Sequence, residues 1–384
     1  MLKPLLPTFY EGVRSRLRAR AAADGIDGLL LLAPANVRYA TGWHFSVNER
    51  PAGLWLPVDG TALLLVPELE RENAGSVAGV AVRCYEEFPG KHPPVLWMLE
   101  EARARRIAVD RLDATLLDTA RSRVDRLDLA DHVLPERSVK RDGELALIRE
   151  AARFADMVLE RLLAEGGDIV GQGGTEADLL RECAGHVRDV LDATHGEAFA
   201  GTKMGITASV HSGPRAALPH GSVRRRRPLP GEPIVAGIGC SLGGYHAESG
   251  VTLVLGALEV GQRDVMGAMA AAGEATLFAL TEGLSCAEVD EAALGVLRKA
   301  GLGETIRHRI GHGMGVEGHE APWLAPGDDT RASPGMVFSC EPGVYRPGRD
   351  GWRTIDTLLV GNGEVEVASR FLSSHPLDTR ILPC

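Results

Sequence analysis

The chain has 384 residues, 45% hydrophobic and 24% charged, and 52 acidic against 42 basic residues leave a net charge of −10. These are globular values for a chain of two or three domains, and they exclude disorder as the main state. The acidic balance disfavours a general nucleic-acid or anionic-membrane binder, and no uncharged apolar run reaches the roughly 18 residues of a transmembrane helix.

The opening MLKPLLPTFYEGVRSRLRAR has no long apolar region and no small-residue cleavage site, so a secretory signal is not expected. The first third then reads as a small α/β unit. Residues 28–33 form a buried strand, and LWLP-VDG-TALLLVP a hairpin turning on Asp59-Gly60. A helical pattern covers 95–104 and a short strand 106–110. The polar, aperiodic stretch 133–142 is taken as a linker, which gives domains of 1–135 and 136–384.

The second part opens on a long helix with Leu145, Ile148, Ala152, Ala155 and Leu159 at helical spacing. A second helix starts after Thr175, and a third spans about 262–281. A fourth opens with a Ser285/Glu288 capping box and ends at Gly301. Strand-like runs (PIVAGI, GVTLVLG, GMVFSC, GVY, IDTLLV) lie among the helices without regular alternation, which predicts an α+β domain with largely antiparallel strands. Arg224–Arg227 read as a solvated loop or hairpin. The six cysteines show no CxxC spacing, so free thiols in a reducing cytoplasm are expected.

The chemistry-bearing residues cluster late in the chain: His220 in ALPHG, Glu248 in GYHAES, His312, His319 and Glu320 in GHGMGVEGHEAP, and Glu341 in FSCEPGVY. Two histidines seven apart among glycines suit a loop or strand edge where backbone comes close to a ligand. A lone histidine in such a loop is more often structural, and a glutamate before Pro-Gly is more often a turn residue. The joint pattern carries the weight. Cys240, Cys340 and Tyr245 lie beside it in sequence and read as packing or support. Cys240 has no identifiable base to make it a nucleophile.

That pattern resembles the pita-bread family of hydrolases, which includes methionine aminopeptidase, aminopeptidase P, prolidase and the metal-free creatinase. GIDGLLLLAPANVRYATGWHFSVNERP looks like the N-terminal domain of the aminopeptidase P, prolidase and creatinase branch, and RDGELALIREAARFAD like the start of the catalytic domain. The resemblance implies a small α/β creatinase-like N-terminal domain followed by a pita-bread catalytic domain. It also implies five ligands for two metal ions. Three match, at Glu248 (in an aspartate position), His312 and Glu341, whereas Gly237 and Ile355 stand where an aspartate and a glutamate belong. Strand alternation keeps Asp356 from replacing Ile355. The resemblance therefore implies at most one ion (manganese, zinc or iron) or none, and no dinuclear centre.

The same resemblance gives His220, His319 and Glu341 catalytic roles, and makes Arg50, Tyr245 and Trp323 candidates for substrate binding. Trp323 stands where prolidases often carry a carboxylate-binding arginine. Three functions compete. The first is a Xaa-Pro peptidase-like hydrolase of C–N bonds with a reduced metal centre. The second is a metal-independent, creatinase-like hydrolase of a small amide or amidino compound. The third is an inactive member that acts by binding. A short peptide or small molecule is the expected ligand. A cytoplasmic homodimer is expected, with Trp43 and Arg50 near the interface, and neither nucleic acid nor membrane as a partner.

Overall fold

A computed structural model describes residues 2–87, 90 and 92–384 of the chain. It forms two compact units, one of Pro4–Arg137 and one of Ser138–Cys384 with Leu2 and Lys3. Among the described residues no helix is long and apolar enough to cross a membrane.

The first unit is built on a six-stranded sheet of β1 (Gly28–Leu31), β2 (Gly53–Pro57), β3 (Ala62–Pro67), β4 (Val80–Tyr85), β5 (Arg106–Val109) and β6 (Arg126–Leu129), in the order β4-β3-β2-β1-β5-β6. The β2–β3 hairpin turns at Gly60, whose φ of 102° needs a glycine. Leu30, Trp55, Leu65, Ile107 and Val109 bury one face against Leu96 and Leu99 of the helix Pro94–Ala102. The helix Pro7–Ala23, unforeseen from the sequence, buries Val13, Leu17 and Ala21 four residues apart. The boundary between the units falls within the stretch 133–142. That stretch contains a short helix, Leu134–Ser138, started by the Asp131 carboxylate accepting from the Val133 and Leu134 amides at 2.8 and 2.9 Å.

The second unit holds three sheets. β7 (Gly205–Ser212), β8 (Pro233–Leu242), β9 (Tyr245–Leu255) and the short β17 (Ile381–Leu382) make a four-stranded sheet, ordered β17-β9-β8-β7. β10 (Gly311–Gly313), β11 (Glu320–Leu324), β12 (Val337–Cys340), β15 (Asp356–Val360) and β16 (Val365–Val367) make an antiparallel sheet of five, and β13 (Gly343–Arg346) pairs with β14 (Asp350–Arg353).

The helix Asp142–Gly171 packs on β8 and β9 through a stripe that includes Leu147, Ile148, Ala151, Ala155 and Leu159. The helices Val260–Thr281 and Cys286–Lys299 pack on each other and share a core with Phe338 and Leu358. The second of these has the expected capping box, with Ser285 N donating to Glu288 Oε2 at 2.8 Å, and Gly301 follows it with a φ of 76°. Two reciprocal 3.0 Å bonds between Gly250 and Ile355 stitch the four- and five-stranded sheets together. Thr357 Oγ1 adds a second stitch, accepting from Glu248 N at 2.9 Å and donating to Glu248 O at 2.7 Å. This seam between sheets positions the site.

Candidate active site

Each functional side chain is placed by strand alternation at the seam. On β9, His246 and Glu248 face a cleft of about 530 Å³. Tyr245 and Ser249 face the other way, onto the long helix, where Tyr245 Oη donates to Glu144 Oε1 at 3.0 Å and Ser249 Oγ to Asp156 Oδ1 at 2.7 Å. Tyr245 is therefore a packing residue, 4% exposed, and not a substrate contact. β10 carries His312 opposite Ser339 of β12, and Glu341 follows the end of β12. His319 directly precedes β11.

Glu248, His312, Glu341 and His319 come together. His312 Nε2 lies 2.7 Å from Glu341 Oε1 and 3.9 Å from Glu248 Oε2. His319 stacks on His312 with ring centroids 3.8 Å apart and reaches Glu248 Oε1 at 4.0 Å. The Ser339 hydroxyl sits between the carboxylates, 3.0 Å from Glu248 Oε2 and 3.2 Å from Glu341 Oε1. Burial, then the charge of Glu341, raises the pKa of Glu248. Burial would raise Glu341 too, but the His312 hydrogen bond and charge hold it well below the carboxylate range. Burial opposes the charge of His312, yet Glu341 and Glu248 raise its pKa. Burial and then the charge of His312 lower the pKa of His319.

The donor set could hold one metal ion, and two of the five ligand positions that a two-ion centre needs carry no donor. His312 Nδ1 lies 3.0 Å from the Gly313 carbonyl, an acceptor only, so that nitrogen carries a hydrogen, and Nε2, which here meets Glu341 Oε1 at 2.7 Å, would be the ligating atom on losing its own proton. Glu248, His312 and His319 offer ligand atoms within 4.8 Å of one another, and Glu341 stands against His312. At the second ion's positions Gly237 has no donor and Ile355 is apolar. A Cβ built on Gly237 would lie 2.6 Å from Arg353 Nη2 and 3.5 Å from Ile355 Cδ1, so a cationic side chain already holds that space. Asp356 points away and accepts from Ser369 Oγ at 2.7 Å, with burial pushing its pKa up to about 6.

His220 is exposed and lines both the cleft and an adjoining cavity of about 400 Å³. Trp323 carries the Arg309 guanidinium over its ring at 4.4 Å. Arg50, in the first unit, pairs with Glu49 and Glu87, both at 2.6 Å, and Trp43 is buried and stacked on Phe45 at 4.3 Å. Cys240 is buried with its thiol pushed up to about 12 by desolvation, which makes it inert as a nucleophile. Ser339, His308 and Arg353 were not anticipated. Of these, Arg353 had a signal, since it is two residues from Ile355 and so shares its face on an extended chain.

Residues 146–362 match the model of metallopeptidase family M24, and residues 14–132 match the creatinase/prolidase N-terminal domain. A probable dipeptidase PepE of Mycobacterium bovis is 31% identical over 90% of this chain and 91% of its own length. A Xaa-Pro dipeptidase of Pyrococcus furiosus is 28% identical over 88% and 91%. The crystal structure of dipeptidase PepE from Mycobacterium ulcerans superposes with a TM-score of 0.84 at 27% identity, covering 99% of this chain and all of that one.

Proposed function

The chain belongs to metallopeptidase family M24, and from that membership we propose a Xaa-Pro peptidase-like hydrolase that cuts the C–N bond of short peptides using one metal ion. The observation that carries this reading is the convergence of Glu248, His312, Glu341 and His319 in one cleft while Gly237 and Ile355 contribute no ligand. A divalent ion held by Glu248, His312 and Glu341 (manganese, zinc or iron) would polarise the scissile carbonyl and acidify a water. The chain's own groups supply the rest. Glu341, which borders the cleft beside His312, is the carboxylate assigned to take the water's proton. His319, whose pKa is lowered by desolvation and then by the charge of His312, is the donor of a hydrogen bond to the carbonyl oxygen as its charge grows. His220, exposed at the mouth of both cavities, is placed to meet the leaving amine. Arg50 and Trp323 stay candidates for substrate contact in this reading.

The direct His312–Glu341 hydrogen bond of 2.7 Å favours a second reading, a metal-independent acid–base site for a small amide or amidino compound. Elemental mass spectrometry of tag-free protein, after manganese or zinc incubation, decides between them. One ion per chain, falling to background in His312→Ala, with proline released from Ala-Pro, is the expected result. Hydrolysis without metal would move the assignment to the second reading. Absence of both would leave a binding protein. We also propose a cytoplasmic homodimer. The six free cysteines and the family resemblance support this, and sedimentation velocity tests the dimer.

A further inference from the structure

Glu248 enters the cleft from β9, and its side chain has one hydrogen-bond partner among the described residues, Ser339 Oγ at 3.0 Å. Its carboxylate is therefore aimed chiefly by its backbone, which is held from two sides. On one side Thr357 Oγ1 clamps both the Glu248 amide and the Glu248 carbonyl. Thr357 N in turn donates to Ser369 Oγ at 3.0 Å. The next residue, Arg370, donates its amide to Asp156 Oδ2 at 2.6 Å. On the other side Asp156 Oδ1 accepts from Ser249 Oγ at 2.7 Å, and Ser249 follows Glu248 in the chain.

These bonds close a ring that runs through Glu248, Thr357, Ser369, Arg370, Asp156 and Ser249. It joins β9, β15, the segment after β16 and the long helix Asp142–Gly171. Thr357, Ser369 and Ser249 are fully buried, so solvent does not compete for their bonds. Asp156 is the member that comes from the helix. It does not line the cleft and instead borders a separate cavity of about 590 Å³, so it can reach the site only through the ring. Its two oxygens meet a hydroxyl and a backbone amide and not a cation, although the charge of Arg370 acts on it from nearby. The amide can only donate, so an oxygen must face it, whereas the Ser249 hydroxyl can turn and accept. Asparagine satisfies both partners and alanine neither.

We propose that Asp156 is a positioning residue, which through this ring fixes the direction of the Glu248 carboxylate and with it the affinity of the cleft for a divalent ion. The last step rests on the metal-hydrolase reading, whereas the ring stands without a metal. Two measurements on EDTA-dialysed protein separate them. Residue-resolved hydrogen exchange follows the Glu248 amide, and isothermal titration with manganese chloride follows the ion.

In Asp156→Ala the Glu248 amide should exchange about tenfold faster or more, the effect of losing a hydrogen bond to a charged group. Manganese should bind about 10–100-fold more weakly. Asp156→Asn should restore both. Thr357→Val should weaken manganese to a similar degree, with Thr357→Ser as its rescue. The Asp156→Ala/Thr357→Val double variant should lose no more than the worse single variant, because each change opens the same ring. Glu150→Gln, on the same helix but outside the ring, should leave the manganese affinity unchanged. Circular dichroism checks that each variant is folded. A Glu248 amide that exchanges as slowly in Asp156→Ala as in the wild type overturns the ring. Faster exchange with unchanged manganese affinity overturns the positioning role, as does a loss that Asp156→Asn fails to restore or that Glu150→Gln reproduces. A wild type that binds no manganese sinks the metal reading instead, and the exchange comparison alone then decides the ring.

Discussion

Replacing Glu320 by glutamine should cost about 3–5 kcal/mol, the typical loss when one partner of a buried ion pair is removed. The upper part of that range is expected here. The side chains of Lys140 and Glu320 are 1% and 0% exposed and meet at 2.8 Å. Gly315 closes over them, since a Cβ there would lie 2.6 Å from Lys140 Cε and 2.7 Å from Glu320 Oε1. Glutamine keeps the shape but leaves the ammonium with the Ser138 carbonyl at 3.3 Å and no directly paired carboxylate, Glu144 being the charge that still senses it. Urea unfolding should show the midpoint falling by about 1–2 M. The Lys140→Met/Glu320→Gln double variant should regain much of the loss, because the cost comes from the stranded charge and not from the missing bond. A single-variant loss below about 1 kcal/mol, the scale of an exposed pair, would refute this reasoning, as would a double variant no more stable than the single. Activity should fall too, because Glu320, held by Lys140, is the residue next to His319.

Ser339→Ala removes the hydroxyl between Glu248 and Glu341 and should lower metal affinity or kcat by about 10–100-fold, measured by metal titration and steady-state kinetics. Cys240→Ser should leave Ala-Pro hydrolysis unchanged, and Cys240 should resist iodoacetamide in the folded protein, because its thiol is held at about 12. Glu150 is depressed to about 2, first by its hydrogen bonds from Arg153 and further by His195. Its contribution is thus present above the ordinary carboxylate range and is lost as pH falls towards 2. Glu150→Gln should therefore destabilise the protein at pH 7 and make no difference near pH 2, as read from melting temperatures.

The long helices were legible because their signals are local. The Ser285/Glu288 box and the stripe from Ile148 to Leu159 are set by neighbours in sequence, although the stripe begins at Leu147 and not at the half-buried Leu145. The helix Pro7–Ala23 was not, because arginines and alanines dilute its apolar stripe to Val13, Leu17 and Ala21. In the site, His312, His319, Glu248 and Glu341 could be read from their motifs. Tyr245 was misassigned because nearness in sequence was taken for nearness in space, and one step along β9 turns it to the opposite face. The same alternation excluded Asp356 but was not carried two residues back from Ile355 to Arg353. Ser339 gave no signal, since a serine in a strand acquires its role only when β9 and β12 meet at the seam.

The placement of Ile355 and Arg353 has an evolutionary consequence. Gly237 and Gly250 are partners across β8 and β9, and Ile355 lies over both, with Cγ1 2.6 Å from where a Cβ on Gly250 would be. An aspartate introduced at 237 would lie against the Arg353 guanidinium. The route back to a two-ion centre needs carboxylates at both 237 and 355, so either single change restores only part of the second ion's shell.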